Sequence, residues 1–173
     1  MRSPGPGAIT AVFFAFPALL MYLVPWLLTG WHPGRTWLAS QLLGGVLVVA
    51  GTAAVVHSFA RFVTEGRGTP APFAPTERLV VGGLYRFVRN PMYAAAVAVI
   101  IGQALLLDRL ALWVYAAVFW LLIAGYVLRV EEPMLRARFA ADYERYRRAV
   151  PAWLPRPRSG HTEGGREQRS ATP

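Results

Sequence analysis

The sequence predicts an all-α protein, an integral membrane bundle of about four transmembrane helices followed by a cytoplasmic amphipathic helix. Its 173 residues are 55% hydrophobic and only 16% charged, whereas soluble domains carry about 25% charged residues. The apolar residues gather in long runs, which excludes a simple soluble globule and a disordered chain. The absence of cysteine and lysine excludes disulfide scaffolds, cysteine-ligated zinc, thiol nucleophiles and lysine Schiff bases.

Four apolar runs predict the membrane helices, because a helix needs about 20 apolar residues to cross a hydrocarbon core of about 30 Å. The runs cover residues 8–28, 37–60, 91–107 and 110–128. The third run is the shortest and contains the polar Gln103. Only Asp108 and Arg109 separate the third run from the fourth, which predicts a tight hairpin of two helices. The glycines Gly44, Gly45 and Gly51 in the second run are interpreted as sites of close helix packing.

The positions of the arginines predict the orientation in the membrane. All 18 basic residues are arginines, and with four spans only Arg35 and Arg109 fall on one side. An excess of arginine marks the cytoplasmic side, so both termini are predicted to be cytoplasmic, in a membrane of the bacterial inner (plasma) type. The positive charge therefore indicates topology and contact with anionic membrane lipid, and not nucleic-acid binding. Residues 1–155 are predicted to form one domain, and the polar residues 156–173 a disordered tail.

The first large cytoplasmic segment, residues 61–93, ends in a helix-start signal. Gly82 and Gly83 permit a sharp turn. Asn90 then stands immediately before Pro91, a pairing typical of the first turn of a helix. Asn90 is therefore predicted to cap the third membrane helix, with Arg89 and Tyr93 beside backbone N–H groups that favour an anion. Contact of the nearby arginines with lipid headgroups alone is the other interpretation.

The second cytoplasmic segment, residues 129–155, predicts an amphipathic helix. Its apolar face comprises Leu135, Phe139, Tyr143, Tyr146 and Val150. Glu131 and Glu132 directly follow the fourth run, and capping of the next helix explains only one of these carboxylates. Together the two segments predict a pocket at the cytoplasmic ends of the last two membrane helices. Arginine, carboxylates and tyrosines suit S-adenosylmethionine, with a nucleotide as the next option.

Two stretches of this sequence carry a family resemblance, namely GTPAPFAPTERLVVGGLYRFVRNPMY and EEPMLRARFAADYERYRRAVPAWLP. Their ordered motifs are Gly-x-Tyr, Arg-Asn-Pro-x-Tyr, a helical hairpin, Glu-Glu and Phe-x-x-x-Tyr-x-x-Tyr. In this order they resemble the isoprenylcysteine carboxyl methyltransferase / phospholipid methyltransferase family of integral membrane enzymes. The resemblance implies a cytoplasmic active site that binds S-adenosylmethionine without a Rossmann fold, with access from the bilayer.

The resemblance also assigns roles to residues. For the cofactor, it and the helix-start pattern together indicate Leu79, Val80, Tyr85, Arg89, Asn90, Pro91, Met92, Tyr93 and Glu132. Glu131 matches a carboxylate placed near the substrate, and Arg129 is a shifted candidate for the family's catalytic arginine. Asn90 replaces a histidine common in eukaryotic members, so a role that needs an imidazole at this position is not carried over.

The methyl acceptor stays open at this point. It is expected to be lipophilic, a prenylcysteine-like carboxylate or an amino-lipid, although a small thiol and a quinone- or polyketide-like molecule are alternatives. A different class of function is an NADPH-dependent membrane reductase of the sterol-reductase type, and a third is a scaffold without turnover. His57 is interpreted as a structural histidine at the membrane interface, and the three scattered histidines indicate no metal site.

Overall fold

The computed structural model describes residues 15–65 and 78–155, and in these ranges it contains helices and no strand. The prediction of an all-α fold is therefore confirmed for this part of the chain. The helices are α1 (Ala15–Thr29), α2 (Leu38–Thr64), α3 (Pro91–Leu107), α4 (Leu110–Tyr126) and α5 (Glu132–Ala149). A 3-10 turn, Gly83–Arg86, precedes α3, and a π-helical turn, Val127–Glu131, joins α4 to α5. The predicted tail and residues 8–14 of the first run lie outside the described ranges.

Two helical stretches are long and apolar enough to cross a membrane. One is Leu38–Phe62 in α2, and the other is the continuous helix that begins with α4 at Leu110. α1 and α3 are shorter apolar helices, so the count of four spans stays a prediction. The outward faces of α2 and α4 are apolar, and Leu42 and Leu121 are more than half exposed there. Apolar surface on this scale is typical of contact with lipid.

The centre of the bundle is α3. Val99 and Ile100 of this helix are completely buried, and they pack in one cluster with Met21 of α1, Phe59 of α2 and Phe119 of α4. Because neighbours surround α3, the helix needs apolar side chains all round instead of a single stripe. This explains why its sequence reads as an almost uninterrupted apolar run.

Glycines bring the backbones of α2 and α3 into contact. A Cβ atom added to Gly44 would lie 2.7 Å from the carbonyl oxygen of Gly102, and one added to Gly102 would lie 2.7 Å from that of Gly44. At Gly51 an added Cβ would lie 2.9 Å from the Ala95 carbonyl. The packing role predicted for Gly44 and Gly51 is thus confirmed. For Gly45 it is wrong, because an added Cβ there meets no atom of the described residues within 4 Å.

A proline in α1 accounts for the polar residue inside α3. Pro25 has no N–H, so the carbonyl of Met21 lacks its usual helical donor, and the π-helical turn Leu19–Leu23 also removes the donor of the Leu20 carbonyl. Gln103 Nε2 donates to the Met21 carbonyl at 2.7 Å, and the Tyr115 hydroxyl donates to the Leu20 carbonyl at 2.8 Å. Neighbouring helices therefore supply both missing hydrogen bonds, as a membrane interior requires.

The hairpin predicted between the third and fourth runs is confirmed. α3 ends at Leu107 and α4 begins at Leu110. Asp108 adopts the left-handed conformation with φ of 50° and donates its N–H to the Ala104 carbonyl. This turn sets α4 antiparallel to α3, so the start of α3 and the end of α4 meet on the same side of the bundle.

α5 contains a kink at Ala140, whose φ of 42° and ψ of −115° are not helical. Tyr143, beyond the kink, and Val150, just after the helix, are buried, whereas Phe139 and Tyr146 are half-buried. Placement of this helix as an amphipathic helix on the membrane surface stays a prediction.

Candidate functional site

A cavity lies where α2 and α4 end and α5 begins, beside the segment that precedes α3. Its wall is mostly aromatic and apolar and includes two arginines and two glutamates. It is lined by Phe62, Leu79, Val80, Tyr85, Arg89, Asn90, Tyr126, Val127, Glu131, Glu132, Met134, Leu135, Arg138, Phe139, Tyr143 and Tyr146. The structure thus brings together seven residues predicted for the site, namely Leu79, Val80, Tyr85, Arg89, Asn90, Glu131 and Glu132.

Among the described residues, the Arg89 side chain has two hydrogen-bond partners and a buried Nε that contacts neither of them. Its Nη1 donates to Glu132 Oε1 at 2.6 Å and to the Tyr143 hydroxyl at 3.0 Å. The side chains of this ion pair are only 12% and 9% exposed. Arg89 Nε is buried and has no partner in the described part of the chain. A buried guanidinium N–H without an acceptor is costly, so this atom is a candidate contact for an anionic ligand.

Glu132, the first residue of α5, forms ion pairs with two arginines. Its second carboxylate oxygen accepts from Arg136 one turn later, at 3.4 Å. Arg136 in turn contacts Glu144 at 3.2 Å. A carboxylate at the start of a helix also interacts favourably with the helix dipole. Glu132 is therefore an ion-paired group.

Glu131 has a different environment from its neighbour. Its Oε2 accepts a hydrogen bond of 2.9 Å from the hydroxyl of Tyr93, and no ion pair joins it to an arginine within the described residues. Burial raises the pKa of Glu131, the hydrogen bond from Tyr93 lowers it, and the adjacent Glu132 raises it. Adjacent carboxyl groups in unlike environments are suited to different roles in acid–base chemistry.

The π-helical turn Val127–Glu131 positions both glutamates. The N–H of Glu132 donates to the carbonyl of Val127, five residues earlier. Pro133 explains this turn, because its ring clashes with the carbonyl four residues before it and offers no N–H. Single π-turns of this kind are frequent at functional sites. Here the turn lies directly after the apolar run that ends at Leu128, so the glutamates stand at the mouth of the bundle.

Tyr85 shapes another part of the wall. Gly83, with φ of 57°, makes the turn that the two glycines predict, and Tyr85 follows with its ring edge-on to Phe62 at 5.5 Å. Its backbone carbonyl accepts from the Tyr146 hydroxyl at 2.6 Å. Burial raises the pKa of the Tyr85 phenol, so the hydroxyl stays neutral.

Asn90 stands at the N-cap position of α3, as predicted, but its side chain makes no capping hydrogen bond. Its Nδ2 donates instead to the carbonyl of Ala152, at 3.1 Å. The backbone N–H of Asn90 donates to the same carbonyl, and the N–H of Arg89 donates to that of Pro151. The residues that follow α5 thus bind the start of α3 through hydrogen bonds. The prediction that the Asn90 side chain caps α3 is wrong.

Four predicted residues do not line the cavity. Tyr93 donates a hydrogen bond to Glu131, which lines the cavity. Pro91 is buried at the first turn of α3, and Met92 packs against the core cluster. Arg129 is exposed, and its guanidinium lies beside Gly125, where an added Cβ would be 3.2 Å from Nη1. Its assignment as a catalytic residue remains a prediction.

Several lining residues were missed by the sequence reasoning. Phe62 and Tyr126 are aromatic residues at the C-terminal ends of α2 and α4. Their position at the ends of apolar runs is the only sequence signal, and it also fits an interfacial anchor. His57, interpreted as structural, lies beside the turn at Gly83, where an added Cβ would be 2.6 Å from Nε2.

A family comparison identifies the class of protein to which this fold and cavity belong. The model of the phospholipid methyltransferase family matches residues 39–142, which is more than half of the chain. The chain therefore belongs to the phospholipid methyltransferase family, and it is a membrane methyltransferase. No curated protein matches the chain with significant similarity.

Proposed function

We propose that this membrane enzyme transfers the methyl group of S-adenosylmethionine to a lipophilic acceptor at the cytoplasmic face of the membrane. The observation that carries this proposal is the buried Nε of Arg89, which has no hydrogen-bond partner among residues 15–65 and 78–155, in a residue that lines a cavity together with an acidic pair. The proposal includes a bundle of four spans, both termini in the cytoplasm and an inner-membrane location, supported by the distribution of arginines.

The chemistry of the cavity fits this cofactor. Arg89 can bind its carboxylate through paired N–H groups. Glu132 can accept from its ammonium group or ribose hydroxyls, and aromatic faces such as those of Tyr85 and Tyr126 attract cationic groups. Leu79 and Val80, both on the wall, can contact the apolar surface of an adenine ring.

We infer from the size of the cavity that it widens when the ligand binds. Its volume is about 70 Å³, whereas pockets for ligands of this size hold roughly 300–1,000 Å³. The paired side chains of Arg89 and Glu132 both line this cavity. A ligand that carries both a carboxylate and an ammonium group offers each member of the pair a new partner, which compensates for separating them.

The reaction is a displacement at carbon. When bound, the cofactor supplies an electrophilic methyl group, whose bond to sulfur breaks as the bond to the acceptor forms, leaving S-adenosylhomocysteine. The contribution of the chain is to position the acceptor and exclude water. A carboxylate acceptor needs no base because it is already ionised. For an amine or thiol acceptor, Glu131 is the group we propose to take the proton.

Calorimetric binding to the detergent-purified protein tests the cofactor. We expect micromolar binding of S-adenosylmethionine and S-adenosylhomocysteine but not of NADPH, and binding at least about tenfold weaker in Arg89→Gln, since tenfold corresponds to about 1.4 kcal/mol, the scale of one hydrogen bond to a charged group. Arg148→Gln is the matched control, because Arg148 is exposed and lies outside the cavity. Binding of NADPH alone would favour the reductase instead. The class of acceptor is tested by supplying a labelled methyl group and comparing its transfer into molecules of a lipid extract with its transfer into molecules of an aqueous extract.

A further inference from the structure

The segment that follows α5, residues 150–155, is free of charge. Its sequence is VPAWLP, with Arg147 and Arg148 before it and Arg156 directly after it. The segment does not extend away from the bundle. The carbonyl of Pro151 accepts from the N–H of Arg89 at 2.8 Å, and that of Ala152 accepts from the N–H of Asn90 at 3.1 Å. An apolar segment is therefore fastened beside the first turn of α3.

The depth of this segment is indicated by Trp153. Its ring centroid lies 6.3 Å from that of Trp120 in α4. Trp120 stands eight residues before Leu128, the last residue of the charge-free run, which corresponds to about 12 Å along a helix. Leu154, next to Trp153, is 80% exposed. A large apolar side chain is thus presented outward close to the apolar surface of α4.

The length of α3 gives an independent reason for such a segment. Its 17 residues extend about 25 Å, less than the roughly 30 Å of a hydrocarbon core. If the C-terminal end of α3, at Leu107, reaches the membrane–water interface on its side, the first turn of α3 at Pro91 lies inside the hydrocarbon region. Backbone N–H groups at that depth need acceptors from the protein. The Pro151 and Ala152 carbonyls are such acceptors for Arg89 and Asn90.

We propose that residues 150–155 form a membrane-inserted anchor, in which Trp153 and Leu154 contact lipid acyl chains of the cytoplasmic leaflet beside α4. The anchor holds the backbone of Arg89 and Asn90, and both residues line the cavity. It thereby links the position of a candidate ligand-binding arginine to the bilayer. The proposal requires α4 to cross the bilayer, but it does not depend on the identity of the cofactor or acceptor.

A single spin label tests the depth of the segment. The chain contains no cysteine, so Leu154→Cys introduces one labelling site in the full-length protein, reconstituted in lipid vesicles. The matched controls are Leu121→Cys on the apolar surface of α4 and Arg148→Cys on α5. Collision of the label with a water-soluble nickel chelate should be on the order of tenfold lower for Leu154→Cys than for Arg148→Cys, because hydrocarbon excludes the polar complex.

Collision with oxygen, which concentrates in hydrocarbon, should be as frequent for the Leu154→Cys label as for the Leu121→Cys label. Nickel accessibility equal to that of Arg148→Cys would overturn the anchor. A second measurement needs no label. Trp153→Phe should reduce the part of the tryptophan fluorescence that lipids with brominated acyl chains quench. If Trp153→Phe instead reduces the part of the fluorescence that acrylamide in the water quenches, the proposal is contradicted.

Discussion

Gln103 of α3 donates a hydrogen bond of 2.7 Å to the carbonyl of Met21, which Pro25 leaves without its usual helical donor. Tyr115 of α4 does the same for the carbonyl of Leu20. Pro25 and the π-helical turn before it therefore determine where two polar side chains stand in the neighbouring helices. The polar residue inside the third apolar run serves to complete the backbone hydrogen bonding of another helix.

The Tyr115→Phe variant measures this relationship, because it removes one hydroxyl and little else. We expect the free energy of unfolding in detergent to fall by about 1 kcal/mol, the usual net value of one buried hydrogen bond. The loss should be smaller in a Pro25→Ala background, where the new N–H of residue 25 can donate to the Leu20 carbonyl in the five-residue pattern of the π-helical turn. Tyr126→Phe is the control, since that hydroxyl has no hydrogen-bond partner in the described ranges. Equal losses in both backgrounds would contradict the link to Pro25.

The adjacent glycines of α2 give a matched pair for the contact between α2 and α3. Gly44→Ala places a Cβ 2.7 Å from the carbonyl of Gly102, and overpacking of this kind costs about 1–3 kcal/mol. Gly45→Ala meets no atom and should stabilise the protein by roughly 0.5–1 kcal/mol, since alanine favours the helix. Thermal unfolding of the two variants compares them directly. Similar melting temperatures would mean that the two helices do not touch at Gly44.

Neighbouring alanines in α5 provide a second matched pair. Ala140 has φ of 42°, a conformation that glycine adopts with less strain, so Ala140→Gly should raise stability by about 1 kcal/mol. Ala141 is helical and exposed, so Ala141→Gly should lower stability by about 1 kcal/mol. Denaturant unfolding gives both values. Destabilisation of similar size in the two variants would indicate that α5 has no kink at this position.

The sequence predicted the helical class, the hairpin and seven of the sixteen residues that line the cavity, because these depend on patterns within one segment. Apolar runs indicate helices directly, and Pro133 after Glu132 marks the junction between α4 and α5. The family motifs add residues such as Leu79 and Tyr85, whose apolar character alone does not distinguish them from core residues.

Contacts between distant segments could not be predicted in this way. Arg89 and its partner Glu132 are 43 residues apart, and Asn90 is 62 residues from Ala152. Local pattern assigned Asn90 a capping bond, but the chain after α5 offers its side chain another acceptor. Likewise, nothing near Gln103 in sequence indicates that a proline more than seventy residues earlier leaves a carbonyl for it.

The two glutamates of the site differ in their partners. Glu132 faces Arg89 and Arg136, so it remains paired with positive charge. Within the described residues, the side chain of Glu131 accepts one hydrogen bond, from Tyr93, and burial raises its pKa. If the acceptor is an amine, Glu131 must be ionised to take a proton, so the rate should rise with pH as Glu131 loses its proton. A carboxylate acceptor should give no such dependence on Glu131.

The Tyr93→Phe variant tests this role through the pH profile. Tyr93 donates to the carboxylate of Glu131 and stabilises its ionised form, so the hydrogen bond lowers the pKa. Its removal should raise the pKa further, and the acidic limb of the rate with an amine acceptor should move to higher pH. Glu131→Gln should abolish that limb together with most of the rate. If the acidic limb of the pH–rate profile does not move in Tyr93→Phe, a group other than Glu131 takes the proton. A purely structural role of Tyr93 would lower the rate at every pH and leave the limb where it is.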